Sequence, residues 1–193
     1  MKDYTKRIMD YLNLEIETIK RLDIGVINIL VNKLHDAFQN ERNIYICGNG
    51  GSAATASHFA NDFNKGISEY TEKKFHFICL NDNLPTLTAI ANDIGYDYIY
   101  EFQLKGRIKK DDLLLCISGS GNSKNIICAA KYAKSVGAII VGITGYDGGL
   151  LSKISDISLN VPINDMQITE DIHMIFDHLI MSVFLKSLEN EVE

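Results

Sequence analysis

The sequence predicts an α/β protein, namely a three-layer α/β/α sandwich around a five-stranded parallel sheet that two helices precede. Short apolar runs alternate with stretches of helical periodicity from residue 44 onward, and no linker or repeat interrupts them. Strands that alternate with helices form parallel sheets with both faces covered. At 193 residues and 46% hydrophobic content, the chain is long enough for one domain, residues 1–193, with a full core.

Each element follows from its periodicity. Apolar residues at helical spacing predict one helix over 4–22 and another over 27–38. Apolar runs predict strands at 44–47, 75–80, 113–117, 138–143 and 157–161. The stretches after them predict helices near 52–64, 84–92, 123–135, 148–153 and 168–188. Ligand sites in such sheets lie beyond the carboxyl ends of the strands, so we expect chemistry just after residues 47, 80, 117 and 143.

The composition argues against several classes of protein. A formal net charge of −6 disfavours a nucleic-acid partner, which requires clustered Lys and Arg. No apolar run approaches the roughly 20 residues of a membrane span, and the N-terminus lacks the apolar stretch of a signal peptide. We therefore expect a cytoplasmic protein without a membrane partner. The four cysteines have no CxxC spacing, so we expect reduced packing residues.

A glycine-rich turn follows the first predicted strand. It contains Asn49, Gly50, Gly51 and Ser52 and leads into an alanine-rich helix. Backbone N–H groups converge at a helix start, where the helix dipole favours an anion. The turn therefore predicts a phosphate site.

A second such turn follows the third predicted strand. Ser118, Ser120 and Ser123 alternate there with glycines, including Gly119, and can surround a phosphate without a Walker-type lysine. One such loop is equally consistent with a flexible, serine-capped turn, but two loops at strand ends of one sheet predict a phosphorylated ligand. The first loop lacks G-x-G-x-x-G spacing, so we expect no nucleotide cofactor.

Three motifs, taken in order, resemble a known family. They are Cys-Gly-Asn-Gly-Gly-Ser at 47–52 with His58-Phe59-Ala60, Ala-Asn-Asp-Ile-Gly-Tyr at 91–96, and Ile-Ser-Gly-Ser-Gly-Asn-Ser at 117–123. Together they resemble the sugar isomerase (SIS) superfamily and, within it, the phosphoheptose isomerases, over essentially the whole chain. The resemblance implies the flavodoxin-like SIS fold and a ketose–aldose phosphate isomerase that acts on sedoheptulose 7-phosphate for ADP- or GDP-heptose synthesis. It also implies zinc and a homotetramer with active sites between subunits, in which we expect residues 1–40 to serve oligomerisation.

The resemblance also assigns substrate-binding positions. The phosphate-binding serines of the family fall on Ser52, Ser118, Ser120 and Ser123. A position that is often threonine is Gly119 here, and the substrate-contacting aspartate falls on Asp93. A family glutamine falls on Glu170, whereas a family arginine has no counterpart because Gly66 stands there, beside Lys65.

The catalytic pair that the resemblance implies is Asp62 and His178. Asp62 stands where the family usually has glutamate. Isomerisation removes a proton from the carbon beside the carbonyl and returns it to the neighbouring carbon, which requires a base, an acid and a polarising group. We assign the transfer between carbons to Asp62 and the transfers at the oxygens to His178, although the two roles can be exchanged. Because aspartate is one methylene shorter, a displacement of about 1 Å can lower the rate about 100-fold unless the backbone compensates.

The same positions suit a metal ion. His58 and Asp62 lie four residues apart on one face of a predicted helix, and Glu170 and His178 lie two turns apart on the last helix. Two imidazoles and two carboxylates are suitable ligands for Zn²⁺, so we expect His58, Asp62, Glu170 and His178 to bind it. His173 is expected to be structural or to support the ligands.

A second hypothesis is a non-catalytic phosphosugar-binding protein. Relatives of the phosphoheptose isomerases act as partners of the bacterial replication initiator, and the altered Asp62 and the missing arginine are compatible with that role. The retained Asp62 and His178 favour the enzyme, since a binding protein needs neither a base nor an acid in its pocket.

Overall fold

A five-stranded parallel sheet forms the middle layer of the protein, which confirms the predicted fold class. The computed structural model describes residues 2–190; Met1 and residues 191–193, which the sequence analysis includes in the domain, lie outside the described residues. The strands are β1 Asn43–Gly48, β2 His76–Cys79, β3 Leu113–Ser118, β4 Ile139–Thr144 and β5 Ile157–Asn160. Their order is β2-β1-β3-β4-β5, and every neighbouring pair is parallel.

The α-helices of residues 2–190 include all those that the sequence predicts. They are α1 Thr5–Ile19, α2 Ile24–Gln39, α3 Gly51–Asn61, α4 Leu84–Asp93, α5 Glu101–Leu104, α6 Lys124–Val136, α7 Gly149–Ile154 and α8 Met166–Asn190. The short α5 and the 3₁₀ turns Ser68–Tyr70 and Tyr96–Tyr98 were not predicted, because so few residues carry no periodic pattern. The continuation of α3 as a π-helix, Asp62–Ile67, was not predicted either.

The sheet separates two hydrophobic cores. Side chains alternate between the faces of a strand, so Ile44 and Ile46 of β1 pack with residues of α2, α3 and α8. Tyr45 and Cys47 point to the opposite face and pack with residues of α4 to α7. The result is the predicted α/β/α sandwich.

Cys47, Cys79 and Cys116 pack in the two cores, as expected, whereas the half-buried Cys128 is part of neither. All four are free, and Cys47 and Cys116 are fully buried register partners on β1 and β3. The contact with Cys116, together with burial, raises the pKa of the Cys47 thiol well above its usual value. A thiol in this environment stays protonated and unreactive.

The long helix α8 contacts α3 and its π-helical continuation on one face of the sheet. Every fourth residue of α8 from Ile168 to Phe184 is buried in the core, where these residues form an apolar stripe. Next to it lies a second buried stripe, formed by Thr169, His173 and Asp177, which we call the polar stripe. No helix within residues 2–190, including α8, combines the length and apolar composition that crossing a membrane requires.

Candidate active site

The two glycine-rich loops lie side by side at the carboxyl edge of the sheet. β1 and β3 are hydrogen-bonded neighbours, with Gly48 in register with Ile117, so the loops after these strands meet. Together with the start of α8 they enclose a space of about 130 Å³, which we call the loop cavity. It is lined by Asn49, Ser52, Ile117, Ser118, Gly119, Ser120, Ser123, Met166 and Glu170.

The loop cavity presents the donors that an anion requires. α3 begins at Gly51, and the first N–H groups of a helix have no intrahelical acceptor. The nearly buried Ser52 and Ser118 add hydroxyls, and Ser118 Oγ lies 3.4 Å from Ser123 Oγ. These hydroxyls and the start of α3 together suit a phosphate group.

Two glycines of the loops are required by close approach. A Cβ at Gly51 would lie 2.7 Å from both carboxylate oxygens of Glu170, so the α8 carboxylate packs directly on the first turn of α3. Gly121 has a φ of +62°, and a Cβ there would lie 2.0 Å from the carbonyl oxygen of Gly148. A side chain at Gly51 would displace Glu170 from the wall of the loop cavity, and one at Gly121 would push away the backbone at Gly148.

Asn49 joins the two loops through its side chain. Its amide exchanges two hydrogen bonds of 2.9 Å with the amide of Asn125 on α6. Its Oδ1 also accepts hydrogen bonds of 3.1 Å from the hydroxyls of Tyr96 and Tyr100. The side chain of Asn49 therefore positions the first loop.

Four titratable side chains meet further along α3 and α8. His58 belongs to α3, Asp62 is the first residue of the π-helix, and Asp177 and His178 are neighbours on α8. One ligand atom from each lies within 4.8 Å of the others. The Nε2 atoms of His58 and His178 are 3.1 Å apart, and Asp62 Oδ2 lies 3.5 Å and 3.9 Å from them, respectively. We call these four residues the His/Asp cluster.

The His/Asp cluster is accessible from one side. The side chains of His58 and His178 are 45% and 58% exposed, whereas Asp62 is 15% exposed. Asp177 is completely buried. A small molecule can therefore approach the imidazoles and Asp62, while Asp177 forms the floor.

The buried carboxyl group of Asp177 lacks a compensating partner in the described part of the chain. Within residues 2–190, neither of its carboxylate oxygens has a hydrogen-bond partner. Burial, reinforced by the negative charge of Asp62, raises the pKa of Asp177 to about 8. Since two imidazoles and two carboxylates surround one point, the donor set fits a divalent cation such as Zn²⁺.

The structure brings together three of the four predicted metal ligands. His58, Asp62 and His178 are in the His/Asp cluster, whereas Glu170 lines the loop cavity. The fourth member is Asp177, which the sequence analysis did not assign to the site. The one available signal was a carboxylate beside His178 at a helix position whose neighbours are apolar.

Other predicted site residues lie elsewhere. Asp93 is exposed at the end of α4, where its Oδ1 accepts a 2.8 Å hydrogen bond from the side chain of Asn92. Lys65, beside the position without an arginine, pairs with Glu69 on the surface. Within one chain, neither Asp93 nor Lys65 contributes to the loop cavity or the His/Asp cluster.

The amino-acid sequence is similar to those of known sugar isomerases. The family model described as the SIS domain matches residues 7–145. The phosphoheptose isomerase of Aliarcobacter butzleri (strain RM4018) is 40% identical over 157 residues, which cover 81% of this chain and 80% of that protein. That of Helicobacter pylori (strain Shi470) is 35% identical over 180 residues, covering 93% and 91%, respectively.

Solved structures show the same fold. The phosphoheptose isomerase of Francisella tularensis superposes with a TM-score of 0.88 at 26% identity, covering 96% of this chain and 100% of that chain. The phosphoheptose isomerase of Neisseria gonorrhoeae gives a TM-score of 0.86 at 27% identity, covering 94% and 98%. These names favour the isomerase over a non-catalytic binding protein. Both the sequence and the fold match phosphoheptose isomerases over most of the chain. The chain therefore belongs to the SIS domain family and, within it, to the phosphoheptose isomerases.

Proposed function

We propose that this protein is an enzyme that isomerises a ketose phosphate to an aldose phosphate, namely sedoheptulose 7-phosphate to D-glycero-D-manno-heptose 7-phosphate. The observation that carries the proposal is that α3 and α8 each contribute to both the loop cavity and the His/Asp cluster. Ser52 and His58 are six residues apart on α3, which corresponds to about 9 Å along the helix axis. That span is comparable to the distance between the terminal phosphate and the carbonyl carbon of an extended sugar phosphate.

The loop cavity holds the phosphate in this proposal. The hydroxyls of Ser52, Ser118, Ser120 and Ser123 and the backbone of Gly50, Gly51 and Gly119 provide its donors. Glu170, at the edge of the cavity, faces the sugar and accepts hydrogen bonds from its hydroxyls. Fixing the phosphate orients the sugar chain toward the His/Asp cluster, and such positioning is itself a large part of catalysis.

Asp62 and His178 move the protons. Asp62 removes the proton from C1 of the ketose while His178, as a neutral imidazole, gives the proton of its ring N–H to the C2 oxygen, and an enediol results. His178 then takes the proton from the C1 hydroxyl, and Asp62 returns its proton to C2, which completes the aldose. No net proton is gained or lost, so both residues end in their starting states.

A divalent cation, with zinc as the first candidate, is part of the proposal. His58, Asp62 and His178 would hold it, and their partial exposure leaves room for substrate oxygens. When bound, the cation would polarise the carbonyl and stabilise the negative charge that develops on the substrate oxygen. The unpaired oxygens of Asp177 support a positive charge at this point.

We further propose that the enzyme is a homotetramer whose active sites lie between subunits. Ile8, Leu12 and Ile16 on one face of α1 are 57%, 46% and 50% exposed, and a contiguous apolar stripe of this kind marks an interaction surface. Residues 1–40 would thus serve oligomerisation. Asp93, exposed on its own chain, would reach the site of a neighbouring subunit.

The product would enter ADP- or GDP-heptose synthesis in the cytoplasm, and from there lipopolysaccharide or another heptose-containing polymer. The activity is tested by incubating the purified, zinc-supplemented protein with sedoheptulose 7-phosphate and following the aldose by NMR. The proposal expects a new anomeric signal of the aldose phosphate. Phosphate binding without turnover, with or without zinc, would overturn it in favour of a binding protein.

A further inference from the structure

We propose that Asp177 is a ligand of the divalent cation, which is then held by His58, Asp62, Asp177 and His178 and not by Glu170. The inference rests on the cation of the proposed function and specifies how this chain binds it. The resemblance suggests Glu170 as the fourth ligand, whereas the structure has Asp177 in the His/Asp cluster.

Asp177 has no polar partner of its own in the described part of the chain. Its side chain is fully buried, and neither oxygen has a hydrogen-bond partner among the described residues. A buried ionised carboxylate without a partner is strongly destabilising, because the lost hydration is not replaced. Coordination of a cation replaces it.

The carboxylate of Asp177 points toward the other members of the His/Asp cluster. Along the polar stripe, Thr169 Oγ1 donates a 2.7 Å hydrogen bond to the carbonyl of Asp165, and His173 Nε2–H donates one of 3.2 Å to the carbonyl of Thr144. Asp177 has no such backbone partner. Instead, one of its oxygens lies within 4.8 Å of the ligand atoms of His58, Asp62 and His178.

The charge of the His/Asp cluster also matches that of a divalent cation. Asp62 and Asp177 bring two carboxylates to one point, and two imidazoles bind a cation in their neutral form. A divalent cation balances the two carboxylates. A third carboxylate from Glu170 would leave an excess of negative charge.

The position of Glu170 also favours Asp177, and not Glu170, as the ligand of the cation. Both of its oxygens lie 2.7 Å from the Cβ that Gly51 would carry, against the first turn of α3 and in the wall of the loop cavity. Glu170 and Asp177 are seven residues apart on α8, which separates them by about 10 Å along the axis. In this arrangement Glu170 faces the substrate and Asp177 faces the cation.

Competition for zinc tests the assignment directly. The full-length protein is stripped with a chelator, and its zinc affinity is measured against a chromophoric chelator for wild type, Asp177→Asn and the matched variant Glu170→Gln. We expect Asp177→Asn to weaken zinc binding by a factor of about 10 to 100 or more, the range found when groups that support a metal site are removed. We expect Glu170→Gln to stay within about twofold of wild type. Equal zinc affinity of Asp177→Asn and wild type would overturn the assignment, as would a loss confined to Glu170→Gln.

A measurement on the wild-type protein covers the case in which Asp177→Asn does not fold. Crystals of the zinc-loaded protein, measured at the zinc absorption edge, locate the ion by anomalous scattering. We expect an oxygen of Asp177 about 2.0–2.2 Å from the ion. An ion bound by Glu170 and far from Asp177 would overturn the assignment while leaving the isomerase proposal intact. Absence of any zinc binding would overturn both this assignment and the cation in the proposed function, but turnover without metal would still support the isomerase.

Discussion

His58 on α3 and His178 on α8 are separated by 120 residues in the sequence, yet their Nε2 atoms lie 3.1 Å apart. Two ring nitrogens at this distance share a proton or a cation. Since each histidine belongs to a different helix, the packing of α3 against α8 determines the geometry of the site. The same two helices also border the loop cavity, so the two ends of a substrate are held by one rigid unit.

The serines of the second loop should control phosphate affinity. Ser123 lines the loop cavity beside Ser118, and a hydrogen bond to a charged group contributes about 1.5–3 kcal/mol. We expect Ser123→Ala to raise the inhibition constant of inorganic phosphate at least about 10-fold. The effect on kcat should be smaller, because the serine does not touch the reacting carbons.

The matched control for this serine is Ser135→Ala. Ser135 lies near the other end of α6, where its hydroxyl donates to the carbonyl of Tyr132. Its variant should bind phosphate as wild type does. If Ser123→Ala and Ser135→Ala have equal inhibition constants, the loop cavity is not the phosphate site.

The charge of Glu170 should weaken phosphate binding. Its carboxylate packs on Gly51 at the start of α3, where the phosphate would accept backbone hydrogen bonds. Like charges a few ångströms apart in a partly buried site repel by about 1 kcal/mol or more, so Glu170→Gln should bind inorganic phosphate several-fold more tightly. Isothermal titration calorimetry measures this affinity. Unchanged or weaker binding would show that the charge of Glu170 does not repel the bound phosphate.

Acid should destabilise the fold through His173. Burial lowers the pKa of His173 to about 4, although its hydrogen bond to the Thr144 carbonyl opposes the shift. The unfolded chain has a histidine pKa near 6.5, so between about pH 6.5 and 4 it binds a proton that the folded chain does not. Above about pH 6.5, His173 is neutral in both the folded and the unfolded chain and does not make stability depend on pH. As the pH falls from 6.5 to 4, the free energy of unfolding decreases by about 3 kcal/mol.

The variant His173→Gln removes this titration. Urea unfolding in the presence of a chelator, at several pH values, should show a smaller loss of stability below pH 6.5 for His173→Gln than for wild type. The exposed His76 provides the control, and His76→Gln should follow the wild-type curve. Parallel curves for His173→Gln and wild type would contradict the buried, neutral state of His173.

The alternation of strands and helices was predictable because burial on one or both faces leaves a periodic pattern in the sequence. All five strands and the long helices follow from it. The π-helix that begins at Asp62 was not predictable, since π-helical and α-helical turns share the same local composition. Asp62, the first residue of this segment, has its Oδ2 3.5 Å from His58 Nε2.

The sequence predicts those parts of the candidate site whose residues are brought together by their spacing within one helix or by neighbouring strands. His58 and Asp62 lie one turn apart, and both glycine-rich loops follow strands that pair in the sheet. The fourth member of the cluster depends on packing between helices. Asp177 follows Phe176 in a buried part of α8, and only the docking of α8 on α3 shows that its carboxylate faces two imidazoles.

The most direct test of the catalytic account is solvent deuterium incorporation. Wild-type protein and Asp62→Asn are incubated with sedoheptulose 7-phosphate in D₂O, and NMR follows the product. Loss of a positioned base lowers rates by about 10²–10⁴, so Asp62→Asn should still bind the substrate but turn it over at most 1% as fast. The control Glu69→Gln, in the surface pair with Lys65, should be fully active. With the wild type we expect an aldose that carries deuterium at C2 to the extent that the protonated Asp62 exchanges with solvent, and with Asp62→Asn we expect at most 1% of that turnover. Full activity of Asp62→Asn would show that Asp62 is not the base.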